Sequence, residues 1–188
     1  MAEKFHDKYR VQSTRLEGFD YRNEGLYFVT ICTADREKYF GECTNDEMHL
    51  NDTGIVAQKY WVEIPNHFPN VSLDKFVIMP NHVHGIICID TKIIIELSSV
   101  ETLHATSLQT ANKNQYFQNI SPKAASLGTI IRSYKSAVSK DIHNINSEFK
   151  WQPRFYDHII RDAKSLNNIQ QYILNNPQNW NDDEYYWL

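Results

Sequence analysis

Two histidines one residue apart, His82 and His84, open the apolar run HVHGIICI. If that run is a strand, side chains two apart share a face, so both imidazoles can reach one ion while Val83 packs on the other side. Imidazole is a common ligand for divalent metals. Two histidines leave such a site incomplete, so a third ligand must come from elsewhere, and the bare pattern also suits surface or hydrogen-bonded core histidines. Tyr172 and Asn176 lie four residues apart in YILNNP. A helix there would present a phenol and an amide oxygen on one face. The same pair equally suits a core tyrosine beside Ile169 and Ile173 and an asparagine cap before Pro177. Tyr134, in SYKSAVSK, is a second tyrosine candidate, on what reads as an apolar helical stripe.

These residues need elements to hold them. Leu26 to Thr33 is aromatic and β-branched and predicts a strand. Asn51-Asp52-Thr53 offers helix caps, with Val56, Tyr60 and Ile64 following at helical spacing and Pro65 stopping the helix. Asp74 to Met79 predicts a second strand and His82 to Ile89 a third. The short breaker Pro80-Asn81 between them argues for an antiparallel pair. From Thr91 to Pro122 the pattern dissolves into Ser, Thr, Asn and Gln, which predicts a mobile insertion of about 91–122. Leu127, Ile130, Ile131, Tyr134, Val138 and Ile142 form one helical stripe. FYDHII, within Phe149 to Asp162, predicts a fourth strand. Asp162 or Ser165 can cap a last helix carrying Leu166, Ile169 and Ile173, which Pro177 ends. The order β-α-β-β-α-β-α predicts a single α+β domain over 1–188, a ferredoxin-like antiparallel sheet with helices on one face. The tail 181–188, NDDEYYWL, is acidic and aromatic and can dock or fray.

With 188 residues the chain can bury a core without staples. The three cysteines, Cys32, Cys43 and Cys88, show no CxxC spacing, so at least one thiol is free and a reduced, cytoplasmic setting is expected. MAEKFHDKYR has no apolar core of a signal peptide, and no apolar run approaches the ~20 residues of a membrane span. The net charge of -4 argues against indiscriminate coating of nucleic acid. Pro122 to Lys164 nevertheless carries eight Lys and Arg against four acids, leaving -8 for the rest. That asymmetry suits either a local binding surface or ordinary patchiness.

Three segments in order, FVIMPNHVHGII (Phe76 to Ile87), WQPRFYDHIIRD (Trp151 to Asp162) and YILNNP (Tyr172 to Pro177), resemble the REP-associated tyrosine transposases, a branch of the single-tyrosine HUH nucleases (IS200-like transposases). The resemblance runs from about Leu26 to Trp180 outside the insertion. It implies that His82 and His84 are the paired histidines, that Tyr172 is the nucleophile, and that Asn176 is the helix-borne metal ligand beside Mg²⁺ or Mn²⁺. It implies a transposase-like endonuclease that cleaves and rejoins single-stranded or hairpin DNA through a 5′-phosphotyrosine, a chemistry that DNA transposition and recombination share with domesticated and repeat-maintaining roles. Arg132, Lys135, Arg154 and Arg161 are the expected phosphate contacts. The WQPRF run is expected to shape strand four, and Tyr156 has no expected catalytic role. His158 can face the site or be structural, and His67 reads as a turn residue. Histidine ligands must be unprotonated, so activity is expected to fall below about pH 6. Relatives act as dimers or monomers, which leaves a homodimer open. Two rivals stand beside this reading. One is a hairpin-binding protein that has lost cleavage. The other is a histidine-triad nucleotide hydrolase, which would want a third alternating histidine where Ile86 stands.

Overall fold

The structure is a computed structural model. It describes residues 24–90, 126–183 and 185, together with the backbone of two short strands, β1 (Lys4–Phe5) and β2 (Lys8–Tyr9). The expected insertion at 91–122 lies outside the described residues, as does part of the 181–188 tail.

Four antiparallel strands make the sheet: β3 (Gly25–Cys32), β6 (Val71–Met79), β7 (His82–Ile89) and β8 (Tyr156–Ile160), in the order β6-β7-β3-β8. β3 and β7 are the inner pair, in register from Gly25 opposite Ile89 to Cys32 opposite His82. Covered on both faces, β7 is buried along nearly its whole length. That is why its sequence reads as a continuous apolar run rather than an alternation.

The helices divide between the two faces. α1 (Asp52–Val62), α2 (Ile64–His67) and α3 (Leu127–Ile142) share a core with Tyr27, Val29, Ile31, Val83 and Ile87. α4 (Ala163–Asn175) covers the opposite face, where Ile173 joins Phe28, Ile86 and Ile160. The α+β architecture and antiparallel sheet follow the expectation, but the single helical face does not. Phe28 of β3 and Ile86 of β7 point away from α1 and α3, and the last helix is needed to bury them.

Local signals explain most boundaries. Asn51 caps α1, accepting from the Gly54 amide at 3.0 Å, and Asp162 caps α4, accepting from the Ser165 amide at 2.8 Å. All six residues of the expected stripe on α3 are buried. α1 differs from expectation: it buries Ala57 and Trp61 while Val56 and Tyr60 are only half-buried. Pro65 does not simply end that helix but sits in the first turn of α2, where its fixed φ and missing N–H are tolerated. An unforeseen hairpin joins β4 (Gly41–Thr44) to β5 (Glu47–Leu50), turning through Asn45 and Asp46 at φ 52° and 63°. Asn and Asp tolerate that left-handed conformation, which matches the twist of the paired strands.

Candidate active site

β7 puts His82 and His84 on the sheet face covered by α4, with ring centroids 4.3 Å apart, and both are almost fully buried. The sheet register supplies the partner of each ring. Thr30 lies opposite His84, and its hydroxyl is 2.9 Å from His84 Nδ1. Asn81, in the turn entering β7, places Oδ1 2.8 Å from His82 Nδ1. The Asn81 amide cannot be reversed, because its Nδ2 donates to the Arg36 and Tyr185 carbonyls at 3.1 and 2.8 Å. Oδ1 therefore accepts, and His82 Nδ1 carries the proton. The lone pair of His82 then resides on Nε2, which is buried without a hydrogen-bond partner among the described residues. Burial also keeps both rings neutral. It lowers His84 to about 3, and it lowers His82 well below the ordinary histidine range, helped by His84 and Arg36 and opposed by Asn176.

Tyr172 lies on α4, 43% exposed, with its hydroxyl 3.1 Å from His84 Nε2. This is not a core tyrosine. Its ring packs edge-on against Phe28, and the hydroxyl borders an open cleft of about 730 Å³ lined also by Thr30, Tyr156 and Asn176. Asn176 caps α4 and is 1% exposed. Its Nδ2 donates to Asp183 Oδ2 at 2.8 Å, leaving Oδ1 buried without a hydrogen-bond partner. Ligand atoms of His82, His84 and Asp183 all lie within 4.8 Å of one another. Asp183 and Tyr185 belong to the tail, which thus docks here at least as far as these residues. Tyr185 packs on His82 at 4.7 Å between ring centroids, and the Arg36 guanidinium lies 5.3 Å from the Tyr185 ring.

The structure thus brings His82 and His84 of β7 together with Tyr172 of α4 and its cap Asn176, two segments far apart in the chain. Sequence reasoning missed Asn81, Asp183 and Tyr185. The signals were an amide immediately before the histidine pair and a carboxylate and ring in an acidic aromatic tail. Arg132, Lys135, Arg154 and Arg161 do not line the cleft. Arg132 and Lys135 lie on α3, which covers the other sheet face, and Lys135 Nζ donates to the carbonyls of Gln152 and Arg154 at 2.7 and 3.0 Å. Those bonds fasten the WQPRF turn, where Arg154 adopts φ 68°. Arg154 and Arg161 are exposed on either side of β8. The rival Tyr134 is buried, donates to the Ala57 carbonyl at 3.1 Å, and is pushed well above the ordinary phenol range by burial. His158 is exposed on β8, and His67 ends α2. No helix of the described residues is long and apolar enough to cross a membrane.

No family model matches the chain. An uncharacterized protein of Haemophilus influenzae is 40% identical over 176 residues, covering 93% of this chain and 92% of that protein. A second Haemophilus influenzae protein, named "Putative REP-associated tyrosine transposase", is 24% identical over 84% of this chain and 73% of its own length. Among solved structures, a REP-associated tyrosine transposase bound to a REP hairpin superposes with a TM-score of 0.54 at 17% identity, covering 88% of this chain and 74% of that one. The chain belongs to one family with the 40%-identical Haemophilus influenzae protein, is similar in sequence to the protein named as a REP-associated tyrosine transposase, and has the fold of the solved REP-associated tyrosine transposase.

Proposed function

We propose that this protein is a metal-dependent tyrosine nuclease that cleaves and rejoins single-stranded DNA. The observation that carries the reading is the Tyr172 hydroxyl 3.1 Å from His84 Nε2, on a half-exposed helix face at the mouth of a cleft. A phenol kept for packing would be covered, as Tyr134 is.

The donor set fits a divalent cation. His82 Nε2 and Asn176 Oδ1 are buried electron-pair donors without a hydrogen-bond partner, and an unmatched buried acceptor is costly. His84 Nε2 and the Asp183 carboxylate complete a nitrogen and oxygen set suited to Mg²⁺ or Mn²⁺. A bound ion would stabilise charge building on the phosphate and favour the phenolate, whose ordinary pKa of about 10 makes it scarce at neutral pH.

The chain's own groups do the rest. Thr30 and Asn81 hold the two rings by their Nδ1 atoms, which turns both Nε2 atoms toward the site. Phe28, stacked on His84 and edge-on to Tyr172, fixes the phenol beside the imidazole. The Tyr172 oxygen attacks phosphorus, its proton leaving to solvent. The P–O3′ bond breaks, and O3′ takes a proton to become a free 3′-hydroxyl. The 5′-phosphate remains esterified to the phenol, so the exchange runs backwards when a 3′-hydroxyl returns.

The relative solved with a REP hairpin makes hairpin DNA the first substrate to try. Incubation with labelled hairpin carrying single-stranded flanks, in Mn²⁺, should give a covalent adduct stable to denaturing electrophoresis and absent from Tyr172→Phe. Tight binding with no adduct under any divalent metal would instead make this a DNA-binding protein without cleavage.

A further inference from the structure

We propose that Tyr156 and His158, on the exposed face of β8, form a stacking subsite for an unpaired base flanking the phosphate that Tyr172 attacks. The inference rests on the nuclease reading and extends it to substrate selection. Tyr156 lies opposite Thr30, and Thr30 lies opposite His84. One cross-strand rung therefore carries the tyrosine and the histidine on the same face, two strand spacings or about 10 Å apart. His158 occupies the next rung on that face, opposite Phe28.

Tyr156 is 44% exposed and makes a T-shaped contact with Phe28 at 6.4 Å. Phe28 and Tyr156 both line the Tyr172 cleft, and both also line a second cleft of about 480 Å³ reaching His158, Lys164 and Ser165. The two clefts share that aromatic wall, so a strand with its phosphate at Tyr172 has a continuous path along β8. β8 is an edge of the sheet, and its outer side has no partner strand among the described residues.

The lining favours a nucleotide over an apolar peptide. Lys164 supplies a cation beside the aromatic wall, while the Asp162 carboxylate in the same lining is turned to the Ser165 amide at the start of α4. An aromatic platform beside a cation is the usual arrangement for unpaired bases, each of which offers a π face whatever its identity. A base in duplex is already stacked, so this wall prefers single strand without reading sequence.

Equilibrium binding of fluorescein-labelled single-stranded oligonucleotides and hairpins, followed by anisotropy in a Tyr172→Phe background, tests the subsite. Tyr156→Ala should weaken binding roughly five- to a hundredfold, and Tyr156→Phe should not. Abasic replacement along the oligonucleotide should find one position whose loss weakens the Tyr172→Phe protein but not the same protein carrying Tyr156→Ala. If the oligonucleotides bind and Tyr156→Ala binds as tightly as its parent, the subsite is refuted while the nuclease reading stands. If the parent binds no single-stranded DNA at all, both fall.

Discussion

Thr30 and Tyr172 grip opposite nitrogens of one imidazole: the Thr30 hydroxyl lies 2.9 Å from His84 Nδ1, and the Tyr172 hydroxyl lies 3.1 Å from His84 Nε2. An amphoteric hydroxyl on Nδ1 can accept its proton and leave Nε2 as the electron-pair donor facing the helix. Thr30→Val keeps the shape and removes the acceptor. Its Mn²⁺ affinity, titrated calorimetrically, should fall roughly ten- to a hundredfold, with the circular dichroism spectrum unchanged. Equal affinity in the two proteins would show that Thr30 does not orient the ring.

Acid should destabilise the fold through the same buried pair. His82 and His84 have folded pKa values below the ordinary value near 6.5, His84 at about 3. Below pH 6.5 the unfolded chain takes up protons that the folded chain does not, so stability falls as pH falls. The deficit grows until the folded pKa is reached. Each buried histidine adds a slope of up to about 1.4 kcal/mol per pH unit. Between pH 6.5 and 5 the carboxylates contribute little, so urea denaturation across that window isolates the histidines. His84→Gln should flatten the slope, and an unchanged slope would assign it elsewhere.

The sequence made the frame legible because burial leaves periodic traces. The six-residue stripe of α3, the caps Asn51 and Asp162, and the bounds of β7 were all readable from residue types. The pair His82 and His84 was readable because strand geometry forces alternate residues onto one face. What escaped depends on tertiary partners. The choice of sheet face for α4 is set by Phe28 of β3 and Ile86 of β7 together, which no local window shows. Asp183 and Tyr185 reach the site only because the chain doubles back after Pro177. Lys135 looked like a phosphate contact because its type and helix position suit one. Its ammonium instead holds two carbonyls of the WQPRF turn, and burial lowers it to about 8.

Gly85, the residue after the histidine pair, serves the other face of the sheet. A Cβ there would collide with the indole of Trp61, which is fully buried on α1. Gly85→Ala should destabilise by about 1–3 kcal/mol, because a close-packed core accommodates added volume only by shifting neighbours. Thermal unfolding measures the loss. Combining Gly85→Ala with Trp61→Phe should recover part of it, and strict additivity would mean that the two residues do not compete for the same space.

The tail carboxylate can serve the site in two ways that substitution separates. Asp183 Oδ2 accepts from Asn176 Nδ2 at 2.8 Å, which turns Asn176 Oδ1 inward, and Asp183 also lies within ligand range of both histidines. If Asp183 only orients the amide, Asp183→Asn keeps an oxygen acceptor and should bind Mn²⁺ nearly as well as the parent, whereas Asp183→Ala should not. If its charge faces the cation directly, both variants should lose roughly tenfold or more, since removing either a ligand or its outer partner typically costs at least that. The second pattern is expected, because two neutral imidazoles and an amide leave a dication without any counter-charge. Titrations at several ionic strengths sharpen the test, since a direct contact is screened less than a distant one. Parent-like affinity in both variants would remove Asp183 from the site and leave His82, His84 and Asn176 as the whole donor set.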